Sequence, residues 1–326
     1  MTAPLTVETA ARLLDAVRAD LGRVLIGQEA VVEGVLTGLL AGGHVLLEGT
    51  PGLGKTLAVK TLAQLTHLSC ARVQFTPDLM PADITGGGVL VRDPSGGAQV
   101  QFRPGPVFTH ILIADEINRG TPKTQSALLE AMAEGTVTIG GEGRPLEPPF
   151  VVFATQNPIE MEGTYPLPEA QLDRFLLKLV VPFPDEEALL RIAMETSGPP
   201  RSPPVPRLDR AQVLALQALA AEIVVAPALA RRAVQLTLAT HPDHPRAPAL
   251  VQRCVRHGAS PRATQALLKA GRARALLRGR AHLSAEDLHA VALPVLRHRI
   301  FRALAAELDG VTADALVAAA LASVPA

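Results

Sequence analysis

Through the first half of the chain, short apolar runs alternate with stretches of helical periodicity. His44–Glu48, Ala71–Thr76, Ile111–Asp115, Val151–Thr155 and Leu176–Val181 are nearly unbroken in apolar character. Runs of that length and texture are what strands covered on both faces of a parallel sheet look like. Helices fit between them at Lys55–His67 and Thr124–Glu134, where Leu128, Leu129 and Met132 make one apolar face. Residues 6–22 also read as a helix, with Ala10, Leu13, Leu14 and Val17 at helical spacing, Asp15, Arg18 and Asp20 between them and Gly22 at the end. The alternation predicts an α/β fold with a mostly parallel five-stranded sheet.

Two segments interrupt that rhythm as hairpins. One pairs Val89–Arg92 with Gln99–Arg103 around Asp93–Gly97, and the other turns Thr136–Ile139 through Gly140-Gly141-Glu142-Gly143. Turn chemistry leaves open whether they are levers or surface excursions. Beyond Pro184 the strand signals stop, and a proline-rich break at Pro199–Pro206 leads into Leu208–Ile223, Ala228–Thr240, Ala249–Arg256, Pro261–Arg280 and Ser284–His298, all helical in period. Ser284 with Glu286 and Asp287 is an N-terminal capping signature. The expected division is an α/β domain over residues 1–184 and a smaller all-helical domain over 185–326, with Ala313–Ala322 as a short docking helix.

Composition narrows the function classes. Of 326 residues 48% are apolar and 19% charged, with 31 basic against 31 acidic, so the chain is built to fold and carries no overall field for capturing nucleic acid. There is no tryptophan and a single tyrosine, which leaves few stacking platforms for single strands. Cys70 and Cys254 stand in no metal or disulfide spacing. His241 and His244 have metal-pair spacing, but Pro242 and Pro245 exclude a regular helix there and favour a loop. No leader pattern opens the chain and no apolar run reaches the ~18 residues of a membrane span. A cytoplasmic protein without membrane insertion is expected.

The chemistry is concentrated at strand ends. Gly49-Thr50-Pro51-Gly52-Leu53-Gly54-Lys55-Thr56 matches GxxxxGK[ST], directly after an apolar strand and directly before a helix that opens Lys55-Thr56-Leu57. Glycines let successive backbone N–H groups curl inward onto phosphate oxygens, and the following helix turns its positive end to the same anion. Lys55 would neutralise the β and γ phosphates of ATP, and the Thr56 hydroxyl would hold Mg2+. Ile111–Glu116 ends in two adjacent carboxylates at the ligand side of a parallel sheet. Asp115 suits magnesium. Glu116, pointing to the other side of the strand, suits the attacking water. Val151–Thr155 delivers Gln156-Asn157-Pro158, and Asn157 reads either as a γ-phosphate sensor or as a turn former before proline.

These residues resemble the MoxR-type AAA+ ATPases. The resemblance rests on Ala114-Asp115-Glu116-Ile117-Asn118-Arg119, Pro122–Glu130, Ala154–Pro158 and Gly163–Phe175, with Gly258–Ala263 and Pro294–Arg299 similar to the family's lid motifs. It implies that Asn157 is sensor 1, Arg262 is sensor 2, and Arg174 is an arginine finger acting in a neighbouring subunit, with Arg119 the rival. It implies also that Val24–Gln28, including Ile26, Gly27 and Gln28, packs around adenine, and that the hairpins face a pore or substrate. A hexameric homo-oligomer is implied, remodelling a client in the company of a von Willebrand factor A domain protein. Against this stand intrachain roles for Arg174 and Arg262, a nucleic-acid motor, and a slow nucleotide-gated binding module.

Overall fold

The computed structural model describes residues 5–92, 98–158, 163–196 and 204–324. The chain enters through α1 (Val7–Val24), which buries Ala10, Leu14, Val17 and Leu21 and is capped by the Thr6 hydroxyl accepting from the Thr9 amide. Then come α2 (Glu29–Leu40), β1 (Val45–Glu48), α3 (Lys55–Leu65), β2 (Cys70–Gln74) and the single turn α4 (Pro81–Thr85). A hairpin of β3 (Gly86–Arg92) and β4 (Ala98–Pro104) precedes β5 (Ile111–Asp115) and α5 (Pro122–Glu134). A second hairpin of β6 (Thr136–Ile139) and β7 (Glu142–Pro145) precedes β8 (Val151–Gln156), the short α6 (Glu169–Leu172) and β9 (Leu177–Val180). Both hairpins are antiparallel ribbons separate from the main sheet. The turn expected at Asp93–Gly97 lies outside the described residues, as does the 199–203 part of the proline-rich break.

The main sheet has five strands in the order β2-β5-β8-β1-β9, every neighbouring pair parallel. Side chains leave its strands alternately to two cores. Val45, Leu47, Ile111, Ile113, Val151 and Phe153 join one, and Leu46, Leu112, Ala114, Val152 and Ala154 join the other. That two-sided burial explains the continuous apolar runs, because no position on a central strand faces water. The register Glu48↔Gln156 and Gln74↔Asp115 brings the C-terminal ends of β1, β8, β2 and β5 to one edge.

The remainder comprises α7 (Glu186–Thr196), α8 (Arg210–Glu222), α9 (Pro227–Leu238), α10 (Ala249–Cys254), β10 (Val255–His257), α11 (Pro261–Leu277), α12 (Ala285–Leu296), β11 (Phe301–Arg302), α13 (Leu304–Leu308) and α14 (Ala313–Ser323). Ser284 and Asp287 form the expected capping box on α12. The helix expected over 249–256 stops at Cys254, because Val255–His257 pairs antiparallel with Phe301–Arg302. Helix α14 docks by Leu316, Val317 and Ala320. The core on the α1 side of the sheet runs without a break into these helices. Among the described residues no helix is long and apolar enough to cross a membrane.

Candidate active site

The loop after β1 is shaped by glycines held where other residues would be strained. Gly52 and Gly54 have φ of +84° and +79°, and a Cβ on Gly49 would stand 2.9 Å from the Val181 carbonyl. Lys55 opens α3, and its ammonium donates to the carbonyls of Gly49 at 2.5 Å and Thr50 at 2.7 Å. Partial burial lowers its pKa, opposed by the negative charges of Asp115 and Glu116. The segment before α2 packs onto this loop. The Gln28 amide donates to the Leu53 carbonyl at 3.2 Å, and a Cβ on Gly54 would touch Leu25. Ile26 is buried, Gly27 (φ +72°) lies against Ala188 of α7, and Leu57 is exposed one turn into α3.

Asp115, at the end of β5, is 7% exposed and meets three elements. It accepts from the Thr56 hydroxyl of α3 at 3.1 Å, from the Thr155 hydroxyl of β8, and from Arg72 Nε of β2 at 2.9 Å. The strand ends there. Glu116 is therefore not the next strand position expected from the sequence: it turns into the left-handed region at φ +54°, ψ +50°, uncommon for a residue with a side chain. Its backbone N–H is held by the Thr155 hydroxyl at 2.9 Å, and its carboxylate accepts from Gln74 at 2.8 Å and Arg119 at 3.0 Å. A side chain held from both ends in a strained backbone is an arrangement that clusters at active sites. Asn157, buried just past β8, completes a cleft of about 370 Å³ with Pro51–Leu57, Asp115, Glu116 and Thr155.

The structure thus brings the phosphate-type loop, the acid pair and Asn157 together, while Arg174 and Arg262 stand elsewhere. Arg119 engages Glu116 of its own chain. Arg262, in the first turn of α11 and 65% exposed, lies 3.7 Å from Asp173, the neighbour of Arg174 in sequence. It pairs outside the helical region rather than within it. Neither Arg262 nor Arg174 lines the cleft. Sequence reasoning missed Thr155, Arg72 and Gln74. The last two sit two apart on β2, hence on one face, but only the β2-β5 adjacency reveals that this face looks at the acid pair.

Comparison with known proteins gives the family. The family model for the ATPase family associated with various cellular activities (AAA) matches residues 44–177, and that for the AAA lid domain matches 247–320. The chain is 44% identical to Chaperone MoxR1 of Mycobacterium tuberculosis over 295 residues, 89% of this chain and 77% of that one. Protein MoxR of Paracoccus denitrificans is 32% identical over 332 residues, 97% of this chain and 96% of that one. A crystal structure from Cytophaga hutchinsonii, of a protein proposed to be an ATPase, superposes with a TM-score of 0.89 at 36% identity, covering 97% of this chain and 95% of that one. With the phosphate-type loop, the acid pair and the helical C-terminal region all in place, the chain belongs to the MoxR family of AAA+ ATPases.

Proposed function

We propose that the chain hydrolyses ATP with Mg2+ as one subunit of a hexameric ring and uses the cycle to remodel or activate a client protein. The observation that carries this reading is the meeting of Thr56, Asp115, Thr155 and Glu116 beside the Lys55 amine at one sheet edge. In this reading residues 1–184 are the nucleotide-binding domain and 185–326 the lid.

The oxygen donors suit a small hard cation. The Thr56 hydroxyl and Asp115 carboxylate are 3.1 Å apart, and magnesium takes only one or two protein oxygens beside phosphates and water. Bound there, it would neutralise charge on the phosphate chain. The loop amides from Gly49 through Thr56 and the Lys55 ammonium bind the phosphates, while Ile26, Gly27, Gln28 and Leu57 enclose the base. Glu116 polarises the attacking water once its carboxylate is released by Gln74 and Arg119, and Asn157 hydrogen-bonds the γ-phosphate or that water. Arg262 exchanges Asp173 for the γ-phosphate. With Arg262 65% exposed and 3.7 Å from the carboxylate, solvent screens the pairing and the exchange costs little.

Arg174 makes no ion pair or side-chain hydrogen bond among the described residues, which supports its use in trans on a neighbour's ATP. Such fingers typically change turnover by ~10³–10⁵ fold. A partner carrying a von Willebrand factor A domain fits the family resemblance. The test is ATP turnover per subunit over rising protein concentration. Specific activity that climbs with concentration and is lost in Arg174→Ala supports a shared-site ring; concentration-independent activity with a normal Arg174→Ala variant overturns it.

A further inference from the structure

The segment that carries Arg174 is bonded on two sides by different parts of the molecule. Its amides face the α/β side: Arg174 N–H donates to Gln171 at 3.2 Å, Phe175 N–H to Leu172 at 3.1 Å, and Leu176 N–H to His44 at 2.8 Å. Its carbonyls face the helices. Arg299, just past α12 and 3% exposed, donates to the carbonyls of Asp173 at 3.3 Å, Phe175 at 2.6 Å and Leu176 at 3.2 Å. The adjacent His298 also donates to Phe175, at 3.0 Å.

One side chain locks the two together. Asp173, 14% exposed, accepts from Arg299 Nε at 2.8 Å on one oxygen and from the Ser260 hydroxyl at 2.9 Å on the other, with Arg262 beyond. Ser260 stands at the N-cap position of α11, its hydroxyl spent on Asp173, and Arg262 is in the first turn. The helical region therefore grips the chain on both sides of Arg174, while the Arg174 side chain makes no ion pair or hydrogen bond among the described residues.

We propose that Asp173 is a positioning residue: it fastens α11 and the end of α12 to the Arg174 segment, so that each subunit's lid sets how its Arg174 is presented to the next subunit. This rests on the reading that Arg174 acts in trans. The lid of one subunit thereby reports to the active site of its neighbour. Because a displacement of ~1 Å in a positioned catalytic group can cost about 10²-fold, a loosened clamp is enough to silence the finger.

Mixed rings separate this from a general structural role. Glu116→Gln subunits donate a finger but cannot hydrolyse, and Arg174→Ala subunits hydrolyse but donate none, so an equimolar mixture regains ATPase activity. With Asp173→Asn added to the donors, the regained activity is expected to fall by about 10- to 100-fold. With Asp173→Asn added to the acceptors, the change is expected to stay within about fivefold, because the acceptors lend no finger in this mixture and the Arg262 side chain that loses Asp173 is 65% exposed. Equal losses in both positions, or no loss in donors, overturn the proposal while leaving the trans reading intact. No recovery in the control mixture overturns both. Acceptors carrying Asp173→Asn that remain active also show that the variant folds and assembles.

Discussion

Thr155 is where the account can be pressed hardest, because one hydroxyl bridges both acids. It is 1% exposed, donates to Asp115 and accepts from the Glu116 N–H at 2.9 Å. Thr155→Val keeps the volume and branching but removes that oxygen. The loss of a hydrogen bond to a carboxylate costs about 1.5–3 kcal/mol, and the stranded, partly buried N–H about another 1 kcal/mol. The sum, about 2.5–4 kcal/mol, corresponds at roughly 2 °C per kcal/mol for a chain of this size to a Tm lower by about 5–8 °C. Turnover should fall further than stability implies, since Glu116 loses the contact that helps hold its left-handed backbone, and a fall of about 10²-fold is expected. Thr155→Ser retains the hydroxyl and should keep turnover within about threefold, losing only about 1 kcal/mol of packing. Differential scanning calorimetry and a coupled ATPase assay on the three proteins test this. A Thr155→Val variant within about 2 °C of the parent and with normal turnover would refute the reasoning.

Arg119→Ala should act within its own subunit, because Arg119 pairs with Glu116 at 3.0 Å: its effect on turnover, expected below about tenfold, should not be relieved by mixing with Glu116→Gln subunits, in contrast to Arg174→Ala. His44 has both ring nitrogens bonded to backbone, Nδ1 accepting from Val152 and Nε2 donating to Met132, and burial lowers its pKa from 6.5 to about 4. The unfolded chain takes up that proton first as pH falls, so the stability due to neutral His44 is complete above pH 6.5 and is lost as pH drops towards 4. The loss amounts to about 3 kcal/mol, and Tm against pH should be flatter for His44→Gln over that window. Burial shifts His298 in the same direction. Gly27→Ala places a Cβ 2.6 Å from that of Ala188 at a φ of +72°, so α7 must move off the Ile26–Gln28 segment; binding of a fluorescent ATP analogue should weaken by about tenfold, while a variant with unchanged affinity removes that segment from the site.

Features that repeat locally were legible in the sequence, and features set by the meeting of distant segments were not. The central strands β1, β5 and β8 could be read because each is buried on both faces, the edge strands β2 and β9 only from their short runs, and the phosphate-type loop because its glycines, lysine and threonine sit between a strand and a helix. Helix α2 was missed although Val31, Val32, Val35, Leu36, Leu39 and Leu40 stand at helical spacing; Thr37 and Gly38 are buried as well, since the helix lies between α1, α8, α11 and β9. Glu116 was assigned the right neighbourhood but the wrong backbone, because alternation along a strand cannot say where the strand ends. Arg72 and Gln74 depend on sheet order, and the Arg299–Asp173 clamp joins residues 126 apart in sequence. Nothing in local pattern distinguishes that arginine from the solvated ones around it.

The most direct test of the central claim separates binding from chemistry at Glu116. Wild type and Glu116→Gln should be compared for ATP affinity in the presence of Mg2+ and for single-turnover hydrolysis in the same buffer. The account predicts affinity within about threefold and hydrolysis lower by at least about 10²-fold, since only the group that polarises the water has changed. Equal loss of both, or hydrolysis that persists in Glu116→Gln, would contradict it.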